Sequence, residues 1–382
     1  MTRSGANGTN SKAAGAGRTK RHAGSGHRYW FTVFVCVLGA ALGPQAALAE
    51  PQASTGLQQE DVIFQDYSPL SENTELLRRM LSPLANRMVE QALAQSGKAL
   101  AAQAIDLSTE RFVVYVPPRA PPGGYGVMVF IPPEPAAKIP RGWEPVLDQY
   151  GIIYVSAARS GNDEDVLGRR APLALLAVEN IRQRYPIDQG RVYVGGYSGG
   201  ARVALRMALS YPDVFRGVLL NAGSDPIGAP PNVLPEKALF ARFRSASRIV
   251  YVTGAADTHT RYRDLDSLAS MREHCVLGVE VEVTPGAEHE IAKPAALGKA
   301  LAALGAPSMP NPGLPASCEA NFEAEMTRRL DRVETLISAG KTSEAKGLLL
   351  RLDGQYGSLA HDRILDLARA CGCEVPRGSG KK

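Results

Sequence analysis

Histidine is scarce in this chain, with six in 382 residues, and two of them, His22 and His27, fall within the first 49. Any chemistry that needs an imidazole must draw on His259, His274, His289 or His361. Cysteine is scarce too, five in all. No second Cys or His pair at ligand spacing accompanies Cys371-Gly372-Cys373, so no metal is expected there. The glycine motifs that cradle phosphates are missing. There is no G-K-[ST] of a phosphate loop and no G-x-G-x-x-G after a strand, which argues against nucleotide chemistry. No apolar run approaches the ~20 residues that a spanning helix needs. Acidic residues are absent from the first 49 positions, which carry Arg3, Lys12, Arg18, Lys20, Arg21 and Arg28. Without that stretch the formal charge of +5 becomes −1. The remaining chain therefore offers no cationic excess for a nucleic-acid partner.

That acid-free stretch has the three parts of a secretory signal. Basic residues end at Arg28, an apolar run follows from Tyr29 to about Leu42, and Ala47-Leu48-Ala49 makes a small-x-small cleavage site before Glu50. Lys20-Arg21 is not a twin arginine, and large Val35 before Cys36 argues against lipidation there. The expectation is a signal peptide over 1–49, export to the periplasm or medium, and no stable membrane insertion once the leader is gone. Export permits disulfides. The four later cysteines, Cys275, Cys318, Cys371 and Cys373, suit two bridges with three possible pairings.

Residues 50–110 read as a helical and irregular extension, with Pro51 to Gln59 loose and a helix from Ser71 to Gln95 that Pro83 kinks or splits. From Arg111 the pattern changes. Arg111–Val116 and Tyr125–Ile131 read as strands of a hairpin. Short apolar strands then alternate with helices: strands at Ile152–Ser156, Arg191–Gly195, Phe215–Leu220, Arg248–Thr253 and Val279–Val283, with helices between them and a last helix at Ala292–Leu304. That alternation predicts a mostly parallel α/β sheet covered on both faces, over 111–305. A Pro/Gly-rich linker at 306–316 leads to three amphipathic helices in a tail over 317–376. No partner for that tail can be named from its pattern.

The sharpest signal is Gly196-Tyr197-Ser198-Gly199-Gly200. It satisfies G-x-S-x-G, with a strand before it and a helix after it, as a nucleophile elbow requires. A serine hydroxyl needs a base. His361 lies in the tail, His274 sits within a helix, and His259 stands two residues from the candidate acid. His289, in the loop after the last strand, remains. Asp257, after the Arg248–Thr253 strand, is the favoured acid to orient it, with Asp225 as its rival. The chain order is then Ser198, Asp257, His289. The amide of Gly199 is one oxyanion donor. The second should follow Tyr125–Ile131. Pro132 and Pro133 have no N–H, so Glu134 is the first available donor there. Arg159 to Asp163 ends a strand on the same edge and reads equally as pocket lining or turn. No metal or organic cofactor is required.

Val192 to Ala208, Tyr211 to Phe215, Gly254 to Asp257 and His289 resemble the polyhydroxybutyrate depolymerase and feruloyl/acetylxylan esterase group of secreted α/β hydrolases. The resemblance spans about Arg111 to Leu304. It implies an α/β-hydrolase fold and ester hydrolysis, with nucleophile, acid and base on Ser198, Asp257 and His289. The Pro-Pro-Glu at 132–134 departs from the His-Gly of better-known members. About 25 residues lie between the Phe215 and Arg248 strands, too few for a large lid. An open site for small or oligomeric esters is expected. No separate polymer-binding domain is visible, so a solid polyester is not the expected substrate. A peptidase with the same site residues, or a silent scaffold, are the rival readings.

Overall fold

The computed structural model describes residues 56–307 and 317–373. The expected signal segment 1–49, nearly all of the linker 306–316 and the last residues of the tail lie outside the described residues. Eight strands form one sheet: β1 (Leu57–Val62), β2 (Phe112–Val116), β3 (Tyr125–Ile131), β4 (Ile152–Ala157), β5 (Ile187–Tyr197), β6 (Gly217–Asn221), β7 (Arg248–Gly254) and β8 (Gly278–Thr284). Their order is β1-β2-β4-β3-β5-β6-β7-β8. β2 is antiparallel to both neighbours, and the pairs from β4 through β8 are parallel.

The helices are α1 (Asn73–Met80), α2 (Pro83–Ser96), α3 (Glu144–Tyr150), α4 (Ala171–Arg184), α5 (Gly199–Ser210), α6 (Lys237–Ala246), α7 (Thr258–Glu273), α8 (Pro294–Gly305), α9 (Cys318–Ser338), α10 (Thr342–Tyr356) and α11 (His361–Ala370). Strand side chains alternate between the two faces of the sheet. Val127, Val129 and Ile131 of β3 join the core under α4, α5 and α6. Met128 and Phe130 join the core under α3 and α8, where Trp143 stands edge-on to Phe130 with ring centroids 5.2 Å apart. This is the α/β-hydrolase fold: a twisted, mostly parallel sheet between two helical layers, with a helical appendage.

Two expectations are corrected. β2 and β3 do not form a hairpin, because β4 lies between them and pairs with both. All seven residues of β3 are buried. A strand apolar on both faces belongs inside a sheet, not in an edge hairpin. The stretch read as loose up to Gln59 instead contains β1, which extends the sheet from its edge on β2. Its residues are largely exposed, so no alternating apolar signature marks it. The expected helix at 71–95 is split into α1 and α2, with Pro83 starting α2.

The tail helices share a core with Leu84 of α2. Several contacts among the described residues dock α9 to the main body, including an ion pair of Lys237 with Glu323 at 3.5 Å. Cys275 and Cys318 form a disulfide. Arg244 Nη2 lies 3.2 Å from Glu319. The Phe322 ring sits 5.2 Å from His274 and 6.2 Å from Phe240. Asp353 of α10 accepts hydrogen bonds from Ser82 Oγ (2.5 Å) and Leu84 N (3.0 Å), satisfying the start of α2. Cys371 and Cys373 form the second bridge.

Candidate active site

The carboxyl ends of the parallel strands line up along one sheet edge, and the candidate residues lie on the loops that leave it. β5 ends at Tyr197, and Ser198 follows with φ 55° and ψ −120°. A non-glycine residue in such a conformation costs about 1–3 kcal/mol and persists only where its surroundings hold it. Here the Ser198 amide donates to Asn221 O at 2.9 Å. The close approach of α5 to the sheet demands small residues. A Cβ on Gly200 would stand 1.9 Å from Ile131 O.

Asp257 follows β7, caps α7 and is buried (7% exposed). The loop after β8 carries His289. His289 Nδ1 lies 2.6 Å from Asp257 Oδ2, and His289 Nε2 lies 3.0 Å from Ser198 Oγ. A carboxylate only accepts, so Nδ1 carries the ring proton and donates to Asp257. Nε2 is left as an acceptor for the Ser198 hydroxyl. Thr260 donates its amide to Asp257 Oδ1 at 3.2 Å, and its hydroxyl lies 3.2 Å from His289 Nδ1. Burial pushes the Asp257 carboxyl up, but hydrogen bonds from His289 and Thr260 outweigh it and hold the group below its ordinary value. Asp257 therefore stays an anion, which is what an imidazole that gains a proton needs beside it.

His259 is exposed in the first turn of α7, and the other two described histidines stand apart. His274 is buried at the end of α7 with Nδ1 2.7 Å from Ser270 O. His361 pairs with Asp362 in the tail. Asp225 pairs with Arg263 at 2.6 Å, and the His289 ring turns to Asp257 instead.

Two residues that hold the site, Asn221 and Tyr197, were given no role from sequence, and a third, Asn162, lies in the Arg159–Asp163 stretch read there as pocket lining or turn. Asn221, at the end of β6, is fully buried. Its carboxamide donates to Val252 O and Glu290 O and accepts from Ala292 N at 2.7 Å, tying the His289 loop to two strands. Tyr197 donates its hydroxyl to His289 O at 2.8 Å and lays its ring 5.2 Å from the imidazole. Its signal was its place between the glycine and serine of the elbow. Asn162, beyond β4, lines the Ser198 cleft and lies so close to Gly199 that a Cβ there would be 2.2 Å from Asn162 Oδ1. Its backbone N–H donates to Pro133 O at 2.9 Å, which braces the segment carrying Glu134. Gly199 is the first residue of α5, where helix amides have no intrahelical acceptor. The cleft over Ser198 and Gly199 has a volume of about 460 Å³. Among the described residues, no cluster of His, Cys, Asp and Glu could hold a metal ion, and no helix is long and apolar enough to cross a membrane.

Strand order and flanking helices give the α/β-hydrolase fold, with the elbow serine at the carboxyl end of β5. No family model matches the chain. Locally it is similar to a poly(3-hydroxybutyrate) depolymerase from Ralstonia pickettii, 29% identical over 98 residues, covering 22% of this chain and 20% of that protein. It is also similar to poly(3-hydroxyalkanoate) depolymerase C from Paucimonas lemoignei, 48% identical over 46 residues, covering 12% of this chain and 11% of that protein. The chain thus spans a fifth or less of these curated relatives. Both likenesses bear out the resemblance to the α/β-hydrolase esterase group. Among solved structures, Est1E from Butyrivibrio proteoclasticus aligns with a TM-score of 0.39 at 12% identity, over 52% of this chain and 94% of that one. At that score it adds nothing to a fold read from strand order.

Proposed function

We propose that this protein is an exported serine hydrolase that cleaves carboxylic esters through an acyl-enzyme on Ser198. The observation that carries the reading is the unbroken line Ser198 Oγ–His289 Nε2–His289 Nδ1–Asp257 Oδ2 at 3.0 and 2.6 Å, with the serine raised on a strained elbow. Ser198 attacks the ester carbonyl as its proton passes to His289 Nε2. Asp257 stabilises the imidazolium that forms. The amide of Gly199 receives the developing oxyanion, and such a donor is worth about 3 kcal/mol. The amide of Glu134, the first N–H after the two prolines, is the second donor, and the carboxamide of Asn162 stands beside the first. His289 returns the proton to the leaving alcohol. Water then repeats the sequence and frees the acid. No step calls on a metal or organic cofactor.

Export is supported by the leader pattern together with the two disulfides. The test is covalent. Leaderless protein treated with a fluorophosphonate probe is expected to be labelled at Ser198 and to hydrolyse p-nitrophenyl acetate but not aminoacyl nitroanilides. Ser198→Ala is expected to abolish labelling and lower turnover by at least ~10³-fold. A folded wild-type protein that takes no label would overturn the reading.

A further inference from the structure

We infer that the Ser198 cleft selects esters that carry a free carboxylate, which Arg202 and Arg206 of α5 bind; this rests on the hydrolase reading above. The two arginines are four residues apart and so share a face of the helix that begins at the nucleophile. At 1.5 Å per residue their Cα atoms lie about 6 and 12 Å along the axis from Ser198. Both line the cleft that opens over Ser198, and so does Arg170 from the segment before α4.

The charges in this cleft do not balance. Three arginines line it against one carboxylate, Asp225. Asp225 is already engaged by Arg263 at 2.6 Å, and Arg202 Nε stands 3.8 Å away, beyond hydrogen-bond reach. Arg206 spends Nη2 on Met80 O at 2.9 Å. The Nε atoms of Arg202 and Arg206 are both buried without a hydrogen-bond partner. Arg170 is 4% exposed and gives Nε to Ser160 O and Nη2 to Pro132 O, both neutral carbonyls. Burial pulls Arg170 down to about 10 and lowers Arg206 as well, and Glu164 and Asp165 offset this only in part.

A guanidinium held out of water without a counter-ion is costly. Here Arg170 is buried, the Nε atoms of Arg202 and Arg206 are kept from water without a hydrogen-bond partner, and Asp225, 3.8 Å from Arg202, is the one carboxylate lining the cleft with them. A substrate carboxylate would supply the missing acceptor, and arginine binds that group through paired, parallel hydrogen bonds. The carboxylate must stand several bonds from the reacting carbonyl to reach residues 202 and 206. Two positions for it meet that need: on the acid side, as in a monoester of a dicarboxylic acid, or on the alcohol side, as in an acylated hydroxy acid.

The experiment compares kcat/KM for monoethyl succinate with diethyl succinate, and for 3-butyryloxybutyrate with its methyl ester. One arm reads an acid-side carboxylate and the other an alcohol-side one. The wild type is expected to prefer the anion in at least one arm by about tenfold, and added salt should shrink that preference. Arg202→Gln, at a side chain 39% exposed, should bring the anion-to-neutral ratio close to one, while Arg202→Lys keeps part of it. Calorimetric titration of Ser198→Ala protein with the preferred anion should show about tenfold weaker binding when Arg202→Gln is added. A ratio near one in the wild type, or a ratio that Arg202→Gln leaves alone, overturns the carboxylate site even if both neutral esters are cleaved. Binding of the anion to Ser198→Ala protein without hydrolysis by the wild type would instead sink the hydrolase reading and leave the carboxylate site standing. If neither hydrolysis nor binding is seen, both fall.

Discussion

At residue scale, the site depends on which ring nitrogen of His289 carries the proton. Asp257 sets this by accepting from Nδ1 at 2.6 Å. Asp257→Asn can donate to Nδ1 and favour the wrong tautomer. Turnover is expected to fall about 10³- to 10⁴-fold with little change in melting temperature, as ester kinetics and calorimetry would show. The two glycines after the serine should respond differently to alanine. A Cβ on Gly200 meets backbone, Ile131 O at 1.9 Å, so Gly200→Ala should cost more than about 3 kcal/mol and drive the protein towards misfolding. A Cβ on Gly199 meets the end of the Asn162 side chain, which can swing aside. Gly199→Ala should therefore keep most stability but lose activity as Asn162 is displaced. Denaturation and activity measured on the same two variants separate these outcomes.

At the scale of elements, the tail is fastened by chemistry more than by a large shared core. The Cys275–Cys318 bridge closes a 43-residue separation between the end of α7 and the start of α9. A loop of that length is worth about 4 kcal/mol in chain entropy. Cys318→Ser is expected to lower unfolding free energy by about 2–4 kcal/mol in denaturant titration, and adding reductant to the wild type should act likewise. The bridge between Cys371 and Cys373 spans two residues, and its loss should cost far less. Asp353 serves as a remote cap for α2 through Ser82 and Leu84. Replacing it with alanine leaves buried donors unsatisfied, which costs about 1–3 kcal/mol.

At the scale of the whole molecule, titrating carboxyls spread over the fold shape acid stability. Arg78 pulls Glu75 from an ordinary 4.5 down to about 2, helped by Arg79, which also pairs with Asp213 at 2.7 Å. A carboxyl lowered in the folded state contributes stability that is complete above its unfolded value and lost as pH falls through the folded one. The Glu75 contribution is therefore present above about 4.5 and lost towards about 2. Asp264 and Asp353 act in the opposite sense. Burial raises both, so their contribution is complete below the ordinary aspartate value of 3.8 and lost as pH rises through the raised one. Unfolding free energy of Glu75→Gln, compared with wild type across the acid range, is expected to show a flatter acid limb. No flattening would mean that this network is too exposed to matter.

The order Ser198, Asp257, His289 and the alternation of strand and helix were legible in the chain because they are local. A tight strand-to-helix turn needs small residues around the serine, and a strand buried on both faces shows as an unbroken apolar run. β3 reads as a strand for that reason, yet the identity of its partners does not show, because β4 slips between β2 and β3 by a pairing that no local pattern records. β1 was invisible for the converse reason: an exposed edge strand carries no alternation, and only the presence of β2 makes it a strand. Asn221, Tyr197 and Asn162 became part of the site through contacts with chain segments tens of residues away. The sequence by itself determined the turn, the candidate nucleophile, base and acid, and the layered class. Tertiary structure decided strand order, which cysteines meet, and how α5 turns Arg202 and Arg206 into the cleft beside Ser198, because those depend on distances between segments that only packing brings together.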